Sequence, residues 1–173
     1  MNRRDVLRQL ATAEEGDFSA WDTMAVELEV AEFLYGLVRA AKPRLVVEAG
    51  SGRGYASVFI AEALLENGVG HLFTYEHDPG FAVEAMQRLL GLPATVECAW
   101  STSHDCQNDR LPDFVFLDSL GGPEGRDRDL DFWLGDLAGS GFLVVVHDAN
   151  GLPGLPEHGV RLDAGRGVWI GHA

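Results

Sequence analysis

Basic residues are scarce in this chain of 173 residues: 13 Lys and Arg stand against 27 Asp and Glu, a formal net charge of −14. Nucleic-acid binding rests on Lys and Arg neutralising phosphates, so this balance repels a polyanion at long range and argues against a DNA or RNA partner. The same acid surplus also keeps a small protein soluble. Long apolar runs are missing as well. None approaches the roughly 20 residues that a membrane-spanning helix needs, so no membrane association is expected. The opening Met1-Asn2-Arg3-Arg4 has the basic start of a signal peptide, but Arg8, Gln9, Glu14 and Glu15 follow where its apolar stretch would be. Cysteine is rarer still. Cys98 and Cys106 show neither metal-site spacing nor a disulfide framework, and a reducing, cytoplasmic home is the expectation.

What is present reads as one α/β domain spanning residues 1–173, since the length supports one sizeable core and not two. A helix is expected from Met24 to Ala41, capped by Asp22 or Thr23, with Val26, Val30, Phe33, Leu34 and Leu37 on one face and Pro43 ending it. Short apolar runs at Leu45–Val47, His71–Tyr75, Thr95–Cys98, Phe114–Leu117 and Phe142–Val146 alternate with helical stretches at Ala56–Leu65, Phe81–Leu90 and Asp127–Ala138. Such alternation predicts a parallel sheet with right-handed crossovers. Val160–Leu162 and Val168–Ile170, flanking a Gly-rich turn, predict an antiparallel hairpin over residues 159–171. Residues 1–23 then form an N-terminal segment and residues 24–150 the core. Gly151–Pro156 is too rich in Pro and Gly for a helix.

The densest local signal is Val46-Val47-Glu48-Ala49-Gly50-Ser51-Gly52-Arg53-Gly54-Tyr55. An apolar strand ends in an acid, glycine takes every second position, and a helix begins. Glycines at a strand-to-helix turn let backbone N–H groups approach a ligand without Cβ interference. A dinucleotide turn wants G-x-G-x-x-G, and here Tyr55 stands where its last glycine belongs. A structural Gly-rich turn is the plainer alternative.

This segment resembles the first motif of class I S-adenosylmethionine-dependent methyltransferases. The resemblance extends through Thr74-Tyr75-Glu76-His77-Asp78-Pro79, Phe114–Leu120 and Asp129–Asn150, so it covers about residues 20–150. It is to small O-methyltransferases related to catechol O-methyltransferase, and to small bacterial methyltransferases with a His-Asp pair after strand five. It implies a Rossmann-like, mostly parallel seven-stranded sheet flanked by helices, ending in an antiparallel hairpin. It also implies S-adenosylmethionine as cofactor, with Glu48 near the methionine ammonium and Glu76 accepting from the ribose hydroxyls. Gly50, Ser51, Gly52, Gly54, Tyr55, His77, Ala99, Trp100 and Asp118 complete the implied cofactor set. Trp100 could stack on the adenine or pack in the core, Tyr55 is pocket wall or packing residue, and Asp78 reads better as a helix cap than as a ligand group.

At the chemical end, Asp118 closes strand four, and His147 and Asp148 close strand five. These three are the expected catalytic groups, with His104 a distant fourth. In the catechol O-methyltransferase relatives an Asp and an Asp-Asn pair bind Mg²⁺. Asp118 and Asp148 match, but Ala149 occupies the Asn position and Asn150 comes one place late. Mg²⁺ is therefore held open, with base catalysis free of metal preferred. The expectation there is that the two aspartates repel each other and leave Asp148 available as a base. Ser119-Leu120-Gly121-Gly122 lacks the histidine that the bacterial group often carries, and Asp129 reads as a first-turn helix acid. The expected activity is methyl transfer to a hydroxyl of a small-molecule substrate. Transfer to a protein or nitrogen acceptor, a non-catalytic cofactor-binding module and a dinucleotide-dependent oxidoreductase are the alternatives. Little insert follows strands four and five, so the acceptor pocket is either open or completed by a homodimer partner, with Phe18–Trp21 as a lid or a surface anchor.

Overall fold

The computed structural model describes residues 5–7, 25–99, 111–120 and 125–173. The elements are α1 (Leu28–Ala41), β1 (Leu45–Ala49), α2 (Tyr55–Asn67), β2 (His71–Glu76), α3 (Pro79–Leu89), β3 (Ala94–Cys98), β4 (Phe114–Leu117), α4 (Arg126–Leu130), β5 (Leu143–His147), β6 (Val160–Leu162) and β7 (Val168–His172). They build one seven-stranded sheet in the order β3-β2-β1-β4-β5-β7-β6. The first five strands are parallel, and β7 runs antiparallel to both β5 and β6. The expected Rossmann-like sheet with its terminal hairpin is the sheet observed.

Side chains alternate across the strands, which sorts the core into two layers. Val46 and Phe116 face α1 and α2, against Val30, Leu34, Phe59 and Ile60. Val47, Val115 and Val144 face the other way, against Trp133, Phe142 and Trp169. Helix α2 is buried along Ala56–Leu64 because it lies between the sheet and α1. Helix α1 is amphipathic and ends where Lys42 turns left-handed (φ 50°), one residue before Pro43. It starts at Leu28, later than expected from Met24, and the proposed caps Asp22 and Thr23 lie outside the described residues, as do Phe18–Trp21. Asp78 caps α3, its carboxylate accepting from the N–H groups of Gly80 and Phe81 at 2.7 and 2.9 Å.

One element departs from expectation. The predicted single helix Asp127–Ala138 is α-helical only to Leu130 and then widens into a π-helical turn, Asp131–Asp136. There the Leu137 N–H reaches back to Phe132 O at 3.0 Å. The widened turn carries Trp133, fully buried and edge-on to both Phe132 and Phe142. Gly151–Pro156 forms no helix, as its composition predicted. No helix among the described residues is long and apolar enough to cross a membrane.

Strands run outward from β1 in one direction to β2 and β3, and in the other to β4 and β5. Crevices at such a switch point, beyond the carboxyl ends of the strands, are where open α/β sheets hold ligands.

Candidate active site

A cleft open to solvent, enclosing about 620 Å³, lies at that point. Its wall joins Gly50, Gly52, Glu76 and His77 on one side to Asp118, Ser119, Leu120, Arg126, Asp148 and Arg166 on the other.

The first side is made by the glycine turn. Gly50 has φ 87°, and a Cβ there would run into the backbone of Asp118 and Ser119, so only glycine lets the ends of β1 and β4 meet. The N–H groups of Gly50 and Ser51 both donate to Tyr75 O, at 2.9 and 3.1 Å, which pins the turn to β2. Glu76 is nearly buried. Its carboxylate accepts from the N–H of Gly52 at 2.7 Å and of Asp78 at 2.9 Å, and His77 Nδ1 lies 3.1 Å away. Two carboxylate oxygens offer about four acceptor positions, so Glu76 keeps acceptor capacity toward the cavity it lines. Gly54 begins α2, and Ser51 is buried beneath the turn. Tyr55 lies outside this wall, under the Arg88 guanidinium at 4.8 Å, and lines a smaller neighbouring hollow with Ser51 and Asp118. Ala99 donates its N–H to Glu76 O at 2.9 Å and supports the strand end from outside the cavity. Trp100 and His104 lie outside the described residues.

Glu48 is not part of the cavity wall either. Strand β1 runs two residues further than its apolar pattern indicates, so Glu48 sits within it, wholly buried, accepting from Ser57 Oγ at 2.5 Å while Oε1 has no partner. Burial pushes its carboxyl up to about 7, against the pull of the Ser57 hydroxyl and with help from the charges of Asp118 and Glu76.

The second side is a charge network. His147 is fully buried at the end of β5, its Nδ1 2.8 Å from Asp118 Oδ1 and its Nε2 2.8 Å from Glu27 Oε2. A carboxylate can only accept, so the ring satisfies both neighbours only when both nitrogens carry protons. Burial alone lowers the pKa of this imidazole, and the Asp118 carboxylate, with Asp148 and Glu27, outweighs it, so the net displacement is upward. With no exposure and both nitrogens engaged, His147 does not face an acceptor. It positions Asp118. Asp148, with a left-handed backbone (φ 53°), does face the cavity, and non-glycine residues so held concentrate at functional sites.

The expected repulsion between Asp118 and Asp148 does not arise, because guanidinium groups stand among them. Arg126 Nη2 lies 3.5 Å from Asp118 Oδ1 and 3.6 Å from Asp148 Oδ2. Arg166 Nε lies 2.9 Å from Asp148 Oδ1, close enough for an ion pair though without a hydrogen bond. Arg166 also donates its backbone N–H and its Nε to Glu27 Oε1, at 3.0 and 3.2 Å. Glu27, Arg126 and Arg166 were missed in the sequence because each sits in a segment that reads as helix start or turn. The available signal was the framing of Arg166 by Gly165 and Gly167. Asp129 stands in the first turn of α4, as expected, and is fully buried there.

Asp118, His147 and Asp148 bring one ligand atom each within 4.8 Å of one another, the spacing of a metal site. The donors do not fit Mg²⁺, which prefers oxygen and near-octahedral geometry. His147 Nδ1 is committed to Asp118, Arg126 bridges the two carboxylates, and Asn150 packs its side chain against Gly167, away from the cavity wall.

A family described as a methyltransferase domain matches residues 47–149. The chain belongs to this methyltransferase family. The matched stretch holds Glu48, the glycine turn, Glu76, Asp118, Arg126 and the His147-Asp148 pair, whereas Glu27 and Arg166 fall outside it. Among solved structures, the methyltransferase resembles one from Geobacter sulfurreducens at 22% identity and TM-score 0.67, covering 85% of this chain and 80% of that one. It also resembles the O-methyltransferase TomG from Streptomyces achromogenes, involved in tomaymycin synthesis and solved with SAM, at 21% identity, TM-score 0.64 and coverage of 85% and 80%. A third is the O-methyltransferase from Bacillus cereus in complex with SAH, at 14% identity, TM-score 0.60 and coverage of 97% and 89%. At these identities the likeness is one of fold. No curated protein matches the sequence of this methyltransferase.

Proposed function

We propose that this methyltransferase uses S-adenosylmethionine to methylate a hydroxyl oxygen of a small molecule. The observation that carries the reading is one cavity in which the glycine turn and Glu76 face Asp118 and Asp148. The open space beside Gly52, where a Cβ would meet nothing within 4 Å, and the spare acceptor capacity of Glu76 fit an adenosyl group with a ribose diol. When bound, S-adenosylmethionine supplies an electrophilic methyl group, its C–S electron pair remaining on sulfur as a neutral thioether.

The residues of the chain do the rest. Glu76 accepts from the ribose hydroxyls and fixes the distance between the cofactor and the far wall, since in-line displacement depends on alignment. Asp148, which lines the cavity with its side chain 30% exposed, takes the proton from the acceptor hydroxyl as the oxygen forms its bond to carbon. Asp118, held by His147, shapes the floor between them. O-methyltransferases among the structural relatives support oxygen over nitrogen as the acceptor atom.

Two measurements test this. Calorimetry should show binding of S-adenosylhomocysteine and none of NAD; tight NAD binding with no response to S-adenosylhomocysteine refutes the cofactor. Methyl transfer from labelled S-adenosylmethionine should then appear on small hydroxylated acceptors in preference to amines and peptides, and the reverse preference refutes the acceptor.

A further inference from the structure

Arg126 is nearly buried without the partners a guanidinium needs. Its side chain is only 10% exposed, yet among the described residues it makes no side-chain hydrogen bond. Its two ion pairs are long, at 3.5 and 3.6 Å, and its buried Nε has no partner. Leaving a buried charged donor unsatisfied is costly. Beside it on the same cavity wall, the buried Ser119 Oγ is likewise without a partner among the described residues. Two unsatisfied donors on one wall, one of them cationic, describe a receptor for an anionic oxygen pair. A guanidinium meets a carboxylate in a matching planar fork.

A divalent cation would need the space between Asp118 and Asp148 that Arg126 fills.

We propose that Arg126, with Ser119, binds a carboxylate of the methyl acceptor, its guanidinium standing between Asp118 and Asp148 where a divalent cation would otherwise bridge them. The inference rests on the methyltransferase reading above and narrows its substrate to a hydroxylated acid. Arg126 holds the acid group while a hydroxyl elsewhere on the same molecule faces Asp148.

The test uses the full chain saturated with S-adenosylhomocysteine and needs no turnover. Benzoate and salicylate are titrated by calorimetry, with benzamide and benzyl alcohol as uncharged counterparts. The acids should bind and the uncharged probes should not. Arg126→Gln should weaken acid binding by about tenfold or more, the loss expected for one charge-assisted hydrogen bond, and Arg126→Lys should retain part of it. In parallel, Mn²⁺ binding followed by electron paramagnetic resonance should be absent or weak in the wild type and about tenfold stronger in Arg126→Gln, where the two carboxylates lose their bridging cation. Binding of S-adenosylhomocysteine reports whether each variant is folded, and Arg126→Lys serves if the glutamine variant is not. Failure of the wild type to bind S-adenosylhomocysteine refutes the methyltransferase cofactor and not this assignment. The assignment itself falls if the acids and their uncharged counterparts bind alike, or if Arg126→Gln binds the acids as well as the wild type. It falls equally if only S-adenosylhomocysteine affinity drops in the variant, or if wild type and variant bind Mn²⁺ equally.

Discussion

Replacing Glu48 by glutamine should stabilise the protein, and more so as pH rises. The buried carboxyl titrates near 7 in the folded chain, against 4.5 ordinarily. Unfolded, Glu48 ionises at its ordinary pKa; folded, it keeps its proton until near neutrality. Between these two values the folded state binds the extra proton, so stability falls with rising pH, and above about 7 the loss is complete. A displacement from 4.5 to about 7 corresponds to about 3 kcal/mol in all. The amide introduced by Glu48→Gln cannot ionise and escapes that loss. Urea unfolding of both proteins at about pH 5.5 and about pH 8 should therefore show the gap moving in the variant's favour by about 2 kcal/mol, the part of the loss falling between those two pH values. Comparing the two proteins at each pH removes the contributions of every other titrating group. A gap that stays the same at both pH values refutes the account, because it means Glu48 is already ionised in the folded protein.

Glu76→Ala should weaken S-adenosylhomocysteine binding by about 2–3 kcal/mol, roughly 30- to 150-fold, with the fold intact by circular dichroism; an affinity within about twofold of wild type removes Glu76 from the site. Asp148→Asn should lower kcat by about 10²–10⁴-fold while leaving S-adenosylhomocysteine affinity unchanged, because it deletes the base and not the cofactor contacts. The His147 clamp raises the imidazole pKa on folding. Its contribution to stability is full below the unfolded value of about 6.5 and is lost as pH rises through the folded one. His147→Gln should accordingly flatten the alkaline limb of the stability profile. Gly50→Ala should destabilise by about 2 kcal/mol or more, since the new methyl meets backbone and φ is positive; an unchanged Tm contradicts that geometry.

The sheet was legible because each strand is a short apolar run between turn residues, and β4 fell where the pattern Phe114–Leu117 put it. The widened turn after Leu130 was not, because nothing in Asp131–Asp136 distinguishes an i+5 bond from an i+4 one. The cofactor side of the cleft is nearly contiguous in sequence, Gly50 to His77, and a motif can find it. The opposite side is assembled from Glu27, Asp118, Arg126, His147, Asp148 and Arg166, and only Asp118, His147 and Asp148, at the strand ends, announced themselves. Local spacing says nothing about which arginine of a distant hairpin meets which acid. For that reason the aspartates looked mutually repulsive in the sequence and are bridged by cations in the structure.

Glu27 couples the first described long helix to the last turn of the chain, meeting His147 at a separation of 120 residues and Arg166 at 139. During synthesis, then, the two halves of the cleft mature at different moments. The glycine turn and Glu76 can settle once β1 and β2 have paired, whereas Glu27 waits for β5 to bring His147 and for the hairpin to bring Arg166. Long-range contacts of this kind form late and slow folding. A chain halted before residue 166 would keep the turn that faces the cofactor while lacking Arg166, the second counter-charge of both Glu27 and Asp148, and would acquire the two sides of its cleft in sequence, the acceptor side last.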